Sequence, residues 1–385
     1  MKKLFLKLFI VLTAASIILT PHINFNVKAA ETFEISAKAS YMMDYESGTE
    51  IYAKNEFSRL SIASMTKLML LNLCYENYDN GVFKFDDDII VSERASGMGG
   101  SQVFLDANKS YKAKDLLKSI IIASANDASV AMAETLYGSE EECVAAMNKR
   151  AADYGLTDTL FSNCTGLPKP TQYSCAKDVA IMLYKLISHK EYFEFSHIWM
   201  DKITHSDGRE TGLTNTNKLV RFFEGCDGGK TGFTSESGFC LACTAKRGNM
   251  RLISVVINEP DSKTRFSDVS GMLNFGFNTY TNKTAVDSSR PMEIRVKVNN
   301  GKSDSIEVIP ENDLYIFSKK NLKENITMDF QPFEKVKAPI NKGDKVGEII
   351  IYRDNVEYGR VNVIANETVA KKIYFDYIKD IAKNW

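Results

Sequence analysis

The chain has 385 residues, of which 44% are apolar and 25% charged, with a formal net charge of −1. That length exceeds one average domain, and that balance excludes a disordered chain and a strongly basic nucleic-acid binder. Seven cysteines are an odd number for a disulfide framework, and a chain this long can bury a core without staples.

The N-terminus places Lys2, Lys3 and Lys7 before an apolar run, Leu8–Leu19. Val27 and Ala29 then take the −3 and −1 positions of a cut after Ala29. This is the layout of a secretory signal. The run is about 12 residues, short of the roughly 20 that span a bilayer. Export is therefore expected, to the outer face of the cytoplasmic membrane or the cell wall. Removing residues 1–29 takes four lysines and no acid, which moves the formal charge from −1 to −5. No nucleic-acid partner is expected.

Residues 37–54 read as two short strands around a turn at Glu46-Ser47-Gly48. Across Ala63–Tyr78, Met65, Leu68, Met69, Leu70, Leu71, Leu73 and Cys74 leave almost no polar face, which predicts a helix buried mid-domain. From Asp115 to Leu186 the periodicity is helical. Strand character returns over Gly225–Asn258, with a hairpin turn at Lys246–Asn249. Cys240 and Cys243 match a CxxC there, but residues three apart on a strand face opposite ways and no second pair lies nearby, so no metal is expected. Phe266, Val269, Leu273 and Phe277 predict a helix over Arg265–Tyr280 laid on the sheet.

Thr281–Arg290 is polar and reads as a break. Short alternating runs follow ("MEIRVKV", "GEIIIYR", "GRVNVIA"), predicting a separate all-β module of about 80 residues. At the end, Ile373, Tyr377, Ile381 and Trp385 form one stripe, with Lys371, Lys372, Lys379 and Lys383 off it. The expected division is 1–29 signal, 30–285 main domain, 286–368 β domain and 369–385 amphipathic helix. That last segment is too short and charged to cross a bilayer and is expected on a membrane surface.

Three polar clusters interrupt otherwise apolar segments. Ser64-Met-Thr-Lys67 sets a hydroxyl and an amine one helical turn apart, on one face. Serine needs a base to act as a nucleophile, and lysine serves only if desolvation or a second cation lowers its pKa. The apolar helix supplies the first condition, and its N-terminal backbone N–H groups suit an oxyanion. Ser124-Ala-Asn126 puts a hydroxyl and an amide directly after an apolar run and by itself reads as a helix cap. Lys230-Thr231-Gly232 sits on a strand edge. There a lysine supplies a second charge, a threonine hydroxyl holds a carboxylate and a glycine admits a ligand backbone. Alone, it could be a turn.

In this order the trio resembles the three motifs of class A β-lactamases and penicillin-binding proteins. The chain resembles the low-molecular-weight penicillin-binding proteins, the serine-type D-alanyl-D-alanine carboxypeptidases. The likeness extends through "ASMTKLM", "GGSQVFL", "SANDASVAMAE", "NTNKLV", "GCDGGKTGFTSESGFCLACTAKRGNMRLISVVI" and "KAPINKGDKVGEI". The resemblance implies an α/β (α+β) β-lactamase-like transpeptidase domain: an antiparallel sheet flanked by helices, an α-helical subdomain, then the small all-β domain. It implies Ser64 as acylated nucleophile, Lys67 as base and Ser124 as proton relay. Asn126 would touch the substrate backbone, Lys230 tune the electrostatics and Thr231 bind the terminal carboxylate beside Gly232. The N–H groups of Ser64 and Phe233 would form the oxyanion hole. The implied partners are the peptidoglycan stem peptide and β-lactams as covalent inhibitors, with no cofactor.

Gly229 stands where the family often has an aliphatic residue, which suggests looser strand packing, and Gln172 where histidine is frequent. A second Ser-x-x-Lys, Ser174–Lys177, falls outside the motif, with Ser174 read as a helix cap. The alternatives are a β-lactamase-related hydrolase and a catalytically idle wall-binding protein. Against the first, Thr157–Lys177 contains Asp158 but no glutamate. Against the second, all three clusters are intact. A Ser-His-Asp hydrolase is disfavoured by the lack of Gly-x-Ser-x-Gly.

Overall fold

The computed structural model describes residues 34–383, so the expected signal segment and Trp385 lie outside it. Strands β1 (Ala39–Asp44) and β2 (Glu50–Lys54) form the expected hairpin. Two short ribbons follow in the chain, β3 (Asp88–Ile90) with β4 (Ser110–Lys112) and β5 (Met200–Thr204) with β6 (Glu210–Thr214). The remaining main-domain strands are β7 (Cys226–Thr234), β8 (Gly238–Arg247) and β9 (Met250–Glu259). They join the first hairpin in one antiparallel sheet of order β2-β1-β9-β8-β7, which leaves β7 at an edge.

Strand β1 and nearly all of β9 are buried without alternation, as strands covered on both faces must be. The cover comes from α6 (Ala176–Leu186) and α9 (Ser262–Thr279). The side chain of Asp261 caps α9, accepting the Thr264 N–H at 2.9 Å. The cap of α6 is Cys175, not Ser174. Ser174 is buried instead, its backbone paired with Leu60 and its hydroxyl 2.8 Å from Thr159 Oγ1.

Helix α1 (Lys67–Asp79) is buried from Lys67 through Tyr75, as its unbroken apolar sequence requires. Around it pack α4 (Asn126–Tyr137), α5 (Glu140–Asp153) and α6. Helix α3 (Ala113–Ile122) leads into α4, and Gly138, in the left-handed region at φ +84°, ends α4. Ser139 then caps α5 by accepting the Glu142 N–H. A polar crossing of the core at Asn72 is satisfied by the carbonyls of Leu68 and Met182.

The stretch expected to be a polar break is in fact strand β10 (Tyr280–Val286), paired with β13 (Leu314–Lys319). Its polar residues suit a junction: the Asn282 amide donates to Asp44 Oδ1 at 2.8 Å. Beyond it, β11 (Arg295–Lys297), β12 (Ser305–Pro310), β14 (Ile326–Pro332), β15 (Lys345–Arg353) and β16 (Val356–Ala365) form a second sheet, order β11-β12-β16-β15-β14. Its core is valine and isoleucine, as the alternating runs require. The final helix, α10, is shorter than expected, Tyr374–Lys383. Val369 and Lys371 pair instead with Ile340 and Gly301 of the β domain.

Candidate active site

Ser64 lies in a short 3-10 turn, Ala63–Thr66, and the α-helix begins only at Lys67. Ala63 sits in the left-handed region at φ +45°, a strained position for a residue with a side chain. Two glycines hold it there. A Cβ on Gly166 would lie 2.0 Å from Ala63 O and 2.8 Å from Ser64 N. A Cβ on Gly232 would lie 2.5 Å from Ile62 O. The Ser64 backbone is thus clasped between edge strand β7 and a turn at residues 163–166. Ser64 itself is only half-buried, so a substrate can reach it.

Lys67 is fully buried. Its Nζ lies 3.1 Å from Ser64 Oγ, 2.7 Å from Asn126 Oδ1 and 2.5 Å from the Thr165 carbonyl oxygen. Loss of water around the amine brings its pKa from the ordinary 10.5 down to about 7. Asp127, at the start of α4, pulls in the opposite direction without cancelling the burial. Ser124, left-handed at φ +63°, is buried and its hydroxyl has no partner among the described residues. Asn126 opens α4; its Nδ2 donates to Gly99 O at 2.7 Å, which leaves one amide N–H for a ligand.

Strand β7 supplies the opposite wall. Lys230 is buried, with Nζ donating to Thr231 O at 3.2 Å. Burial drives its pKa well down, and the charges of Lys67 and Arg265 drive it further. Thr231 Oγ1 donates to Thr216 Oγ1 at 2.8 Å. The Phe233 ring is exposed and stacks on Phe239 with centroids 4.2 Å apart. Gly229 does not loosen the strand. At φ +124°, its Cβ position would be 2.2 Å from Ala242 O, so close packing of β7 on β8 requires glycine there.

Of the eight residues singled out from the sequence, Ser64, Lys67 and Asn126 are joined by hydrogen bonds and Gly232 packs on the Ser64 backbone. Ser124 lies two residues before Asn126, and Lys230, Thr231 and Phe233 share strand β7 with Gly232. Two further groups were missed. Arg265, read only as part of a helix, is buried and donates to Gly232 O and Cys240 O, both at 3.2 Å, which ties α9 to the cleft strand. Burial lowers its pKa to about 10. Thr165 contributes a backbone carbonyl from "FSNCTGLP", a segment whose Asn-x-x-Gly turn was the only signal available. Gln172 is not idle either: its Oε1 accepts the N–H groups of Ser162 and Asn163 at 3.0 and 3.1 Å.

The carboxylates nearby are engaged elsewhere. Asp127 accepts the N–H groups of Val103, Leu105 and Ala128. Glu140 accepts the Cys164 N–H and pairs with Arg94. Asp158 pairs with Arg59.

Residues 26–261 match the family described as D-alanyl-D-alanine carboxypeptidase, and residues 281–371 match the penicillin-binding protein 5 C-terminal domain. The chain is 37% identical over 350 residues to D-alanyl-D-alanine carboxypeptidase DacF of Bacillus subtilis, covering 91% of this chain and 90% of that one. Penicillin-binding protein 5 from Haemophilus influenzae has a similar structure (TM-score 0.68, 28% identity, 88% of this chain and 98% of that one). So does penicillin-binding protein D2 from Listeria monocytogenes in its ampicillin-bound form (TM-score 0.57, 31% identity, 63% of this chain and 98% of that one).

The depressed Lys67 pKa has a consequence for stability. Between pH 7 and 10.5 the folded protein binds fewer protons at Lys67 than the unfolded chain does. Stability therefore rises with pH across that window, and below it the full cost of burying the charge is present. At about 1.4 kcal/mol per unit, this cost is on the order of 5 kcal/mol. Denaturant titrations should show the parent gaining several kcal/mol relative to Lys67→Met between about pH 7 and about pH 10.

Proposed function

The chain belongs to the D-alanyl-D-alanine carboxypeptidase family, and from that membership we propose how its cleft carries out the reaction. The protein is a serine-type D-Ala-D-Ala carboxypeptidase that removes the terminal D-alanine from peptidoglycan stem pentapeptides, a cell-wall role. The observation that carries the mechanism is the position of Lys67 Nζ between Ser64 Oγ and two acceptors. A neutral amine has two N–H groups and one lone pair. Asn126 Oδ1 and Thr165 O take both N–H groups, which leaves the lone pair facing Ser64.

Ser64 Oγ attacks the carbonyl carbon of the D-Ala–D-Ala bond as Lys67 takes its proton. The resulting oxyanion is received by the N–H groups of Ser64 and Phe233. Ser124, whose hydroxyl has no other partner among the described residues, gives its proton to the departing D-alanine nitrogen and recovers one from the Lys67 ammonium, which returns Lys67 to the neutral amine. Thr231 holds the substrate's terminal carboxylate beside Gly232, and the positive charge of Arg265, which donates to Gly232 O, favours that anion. The remaining Asn126 N–H takes a substrate backbone carbonyl. Water then releases the tetrapeptide from Ser64.

A β-lactam enters the same cleft and acylates Ser64. Its acyl-enzyme persists because the opened ring stays attached to the acyl group, so no leaving group departs to let a water reach the ester. Asp127, Glu140 and Asp158 are engaged elsewhere and offer no carboxylate base for a faster route. Purified protein incubated with a pentapeptide mimic and, separately, with labelled penicillin tests the assignment. Acylation is expected to climb with pH through a midpoint at about 7, where half of Lys67 is neutral, and to level off about one pH unit above it. Ser64→Ala should neither release D-alanine nor take the label; label on that variant would refute the mechanism.

Export places the enzyme against the wall, and α10 holds it at the membrane surface. Ile373, Tyr377 and Ile381 are exposed on one stripe of this segment, an unpartnered apolar face flanked by lysines. Among the described residues no helix is long and apolar enough to cross a membrane. With vesicles containing phosphatidylglycerol, chain 30–385 should float and a form ending at residue 368 should not. Equal flotation of the two would remove the anchor.

A further inference from the structure

The turn beneath the Ser64–Lys67 pair is organised by one buried side chain that the reaction scheme does not use. Asn163 Oδ1 accepts three hydrogen bonds: from the N–H of Thr165 (3.2 Å), the hydroxyl of Thr165 (3.2 Å) and the N–H of Gly166 (2.7 Å). Its Nδ2 donates to Leu167 O at 2.8 Å. The backbone on either side is fixed independently. Gln172 receives the N–H of Asn163, and Glu140 Oε1 receives that of Cys164 at 3.1 Å. With every neighbouring N–H taken, the Thr165 carbonyl is left turned toward Lys67 Nζ, 2.5 Å away.

We propose that Asn163 is a positioning residue for Lys67: it moulds the turn so that Thr165 O holds one N–H of the amine and the lone pair stays on Ser64. This rests on the assignment of Ser64 and Lys67 as nucleophile and base. The reasoning is proton bookkeeping. An amine with two N–H groups and two fixed acceptors has one orientation. With one acceptor it rotates, and its lone pair leaves the serine. Asn163 also controls the other half of the pair, because Gly166, held by the same oxygen, presses on Ala63 O and keeps the strained residue before Ser64 in place.

The charged and titratable groups facing Lys67 are Lys230 from β7, Asp127 from α4 and Cys164 from the turn itself, with Glu140 behind Cys164. Asn163 adds no charge to this set. Asn163→Asp therefore keeps the acceptor oxygen for Thr165 and Gly166, gives up the donor to Leu167 O and places a new negative charge close by, whereas Asn163→Ala removes acceptor and donor together.

The test follows labelled-penicillin acylation rates against pH for the parent and both variants, with a thermal melt of each to express rates per folded molecule. Asn163→Ala should lose about 100-fold on the alkaline plateau, the scale of a misplaced catalytic group. Asn163→Asp should recover the plateau to within a few-fold while its acid limb moves up by about one pH unit, as a nearby opposite charge favours the lysine cation. If both variants acylate like the parent with the same limb, the positioning role is wrong. Equal losses in both variants with the limb unmoved would also overturn it, as a general loosening. If the parent itself shows no acid limb near neutrality, the Lys67 assignment fails first and this proposal falls with it.

Discussion

Taking a lysine amine out of water dominates the design of this cleft. Lys67 sits at the first position of a helix with no polar face, in a site where a charged ammonium is costly and a neutral amine is not. The surrounding parts follow from that constraint. The helix is apolar throughout its first turns because it must exclude solvent from Nζ. Backbone and amide oxygens stand on two sides because a neutral amine still has two N–H groups to satisfy. The third side is left for the serine. A second buried lysine, Lys230 on the facing strand, is kept from protonating by its own burial and by the charge of Lys67.

The fold gathers these parts from four places in the chain and locks them through glycines. Gly166 and Gly232 bring the turn and the edge strand within reach of the Ser64 backbone, and Gly229 lets that strand lie flat on its neighbour. Each is a position where a methyl group would collide with backbone. The strained φ values at Ala63 and Ser124 bracket the nucleophile and the unpartnered hydroxyl, where the chain bends away from regular structure to aim a side chain.

Much of this was legible in the sequence. The Ser64–Lys67 spacing, the greasy helix and the two later clusters pointed to one site, and Ser64, Lys67, Asn126 and Gly232 are in contact there. The parts that were not legible have physical reasons. Thr165 acts through a carbonyl, which every residue has, so its side chain carries no sign of the role. Arg265 was hidden by the helical periodicity around it. The strand Tyr280–Val286 read as a break because its inward residue, Asn282, is polar and meets Asp44 instead of a hydrophobic core. Ser174 looked like a cap by type, yet Cys175 accepts the Asp178 N–H and Ser174 is drawn into a pairing with Leu60. The last helix starts at Tyr374 because residues 369 and 371 pair with the β domain.

The claim beneath the whole account is that Lys67 is uncharged at working pH, and a direct titration tests it. Carbon-13 NMR of protein labelled at lysine Cε, with the Lys67 resonance assigned by its loss in Lys67→Arg, follows that single amine. The account predicts a midpoint at about 7, far below the other lysines. A Lys67 resonance that titrates with the surface lysines, near 10.5, would contradict it.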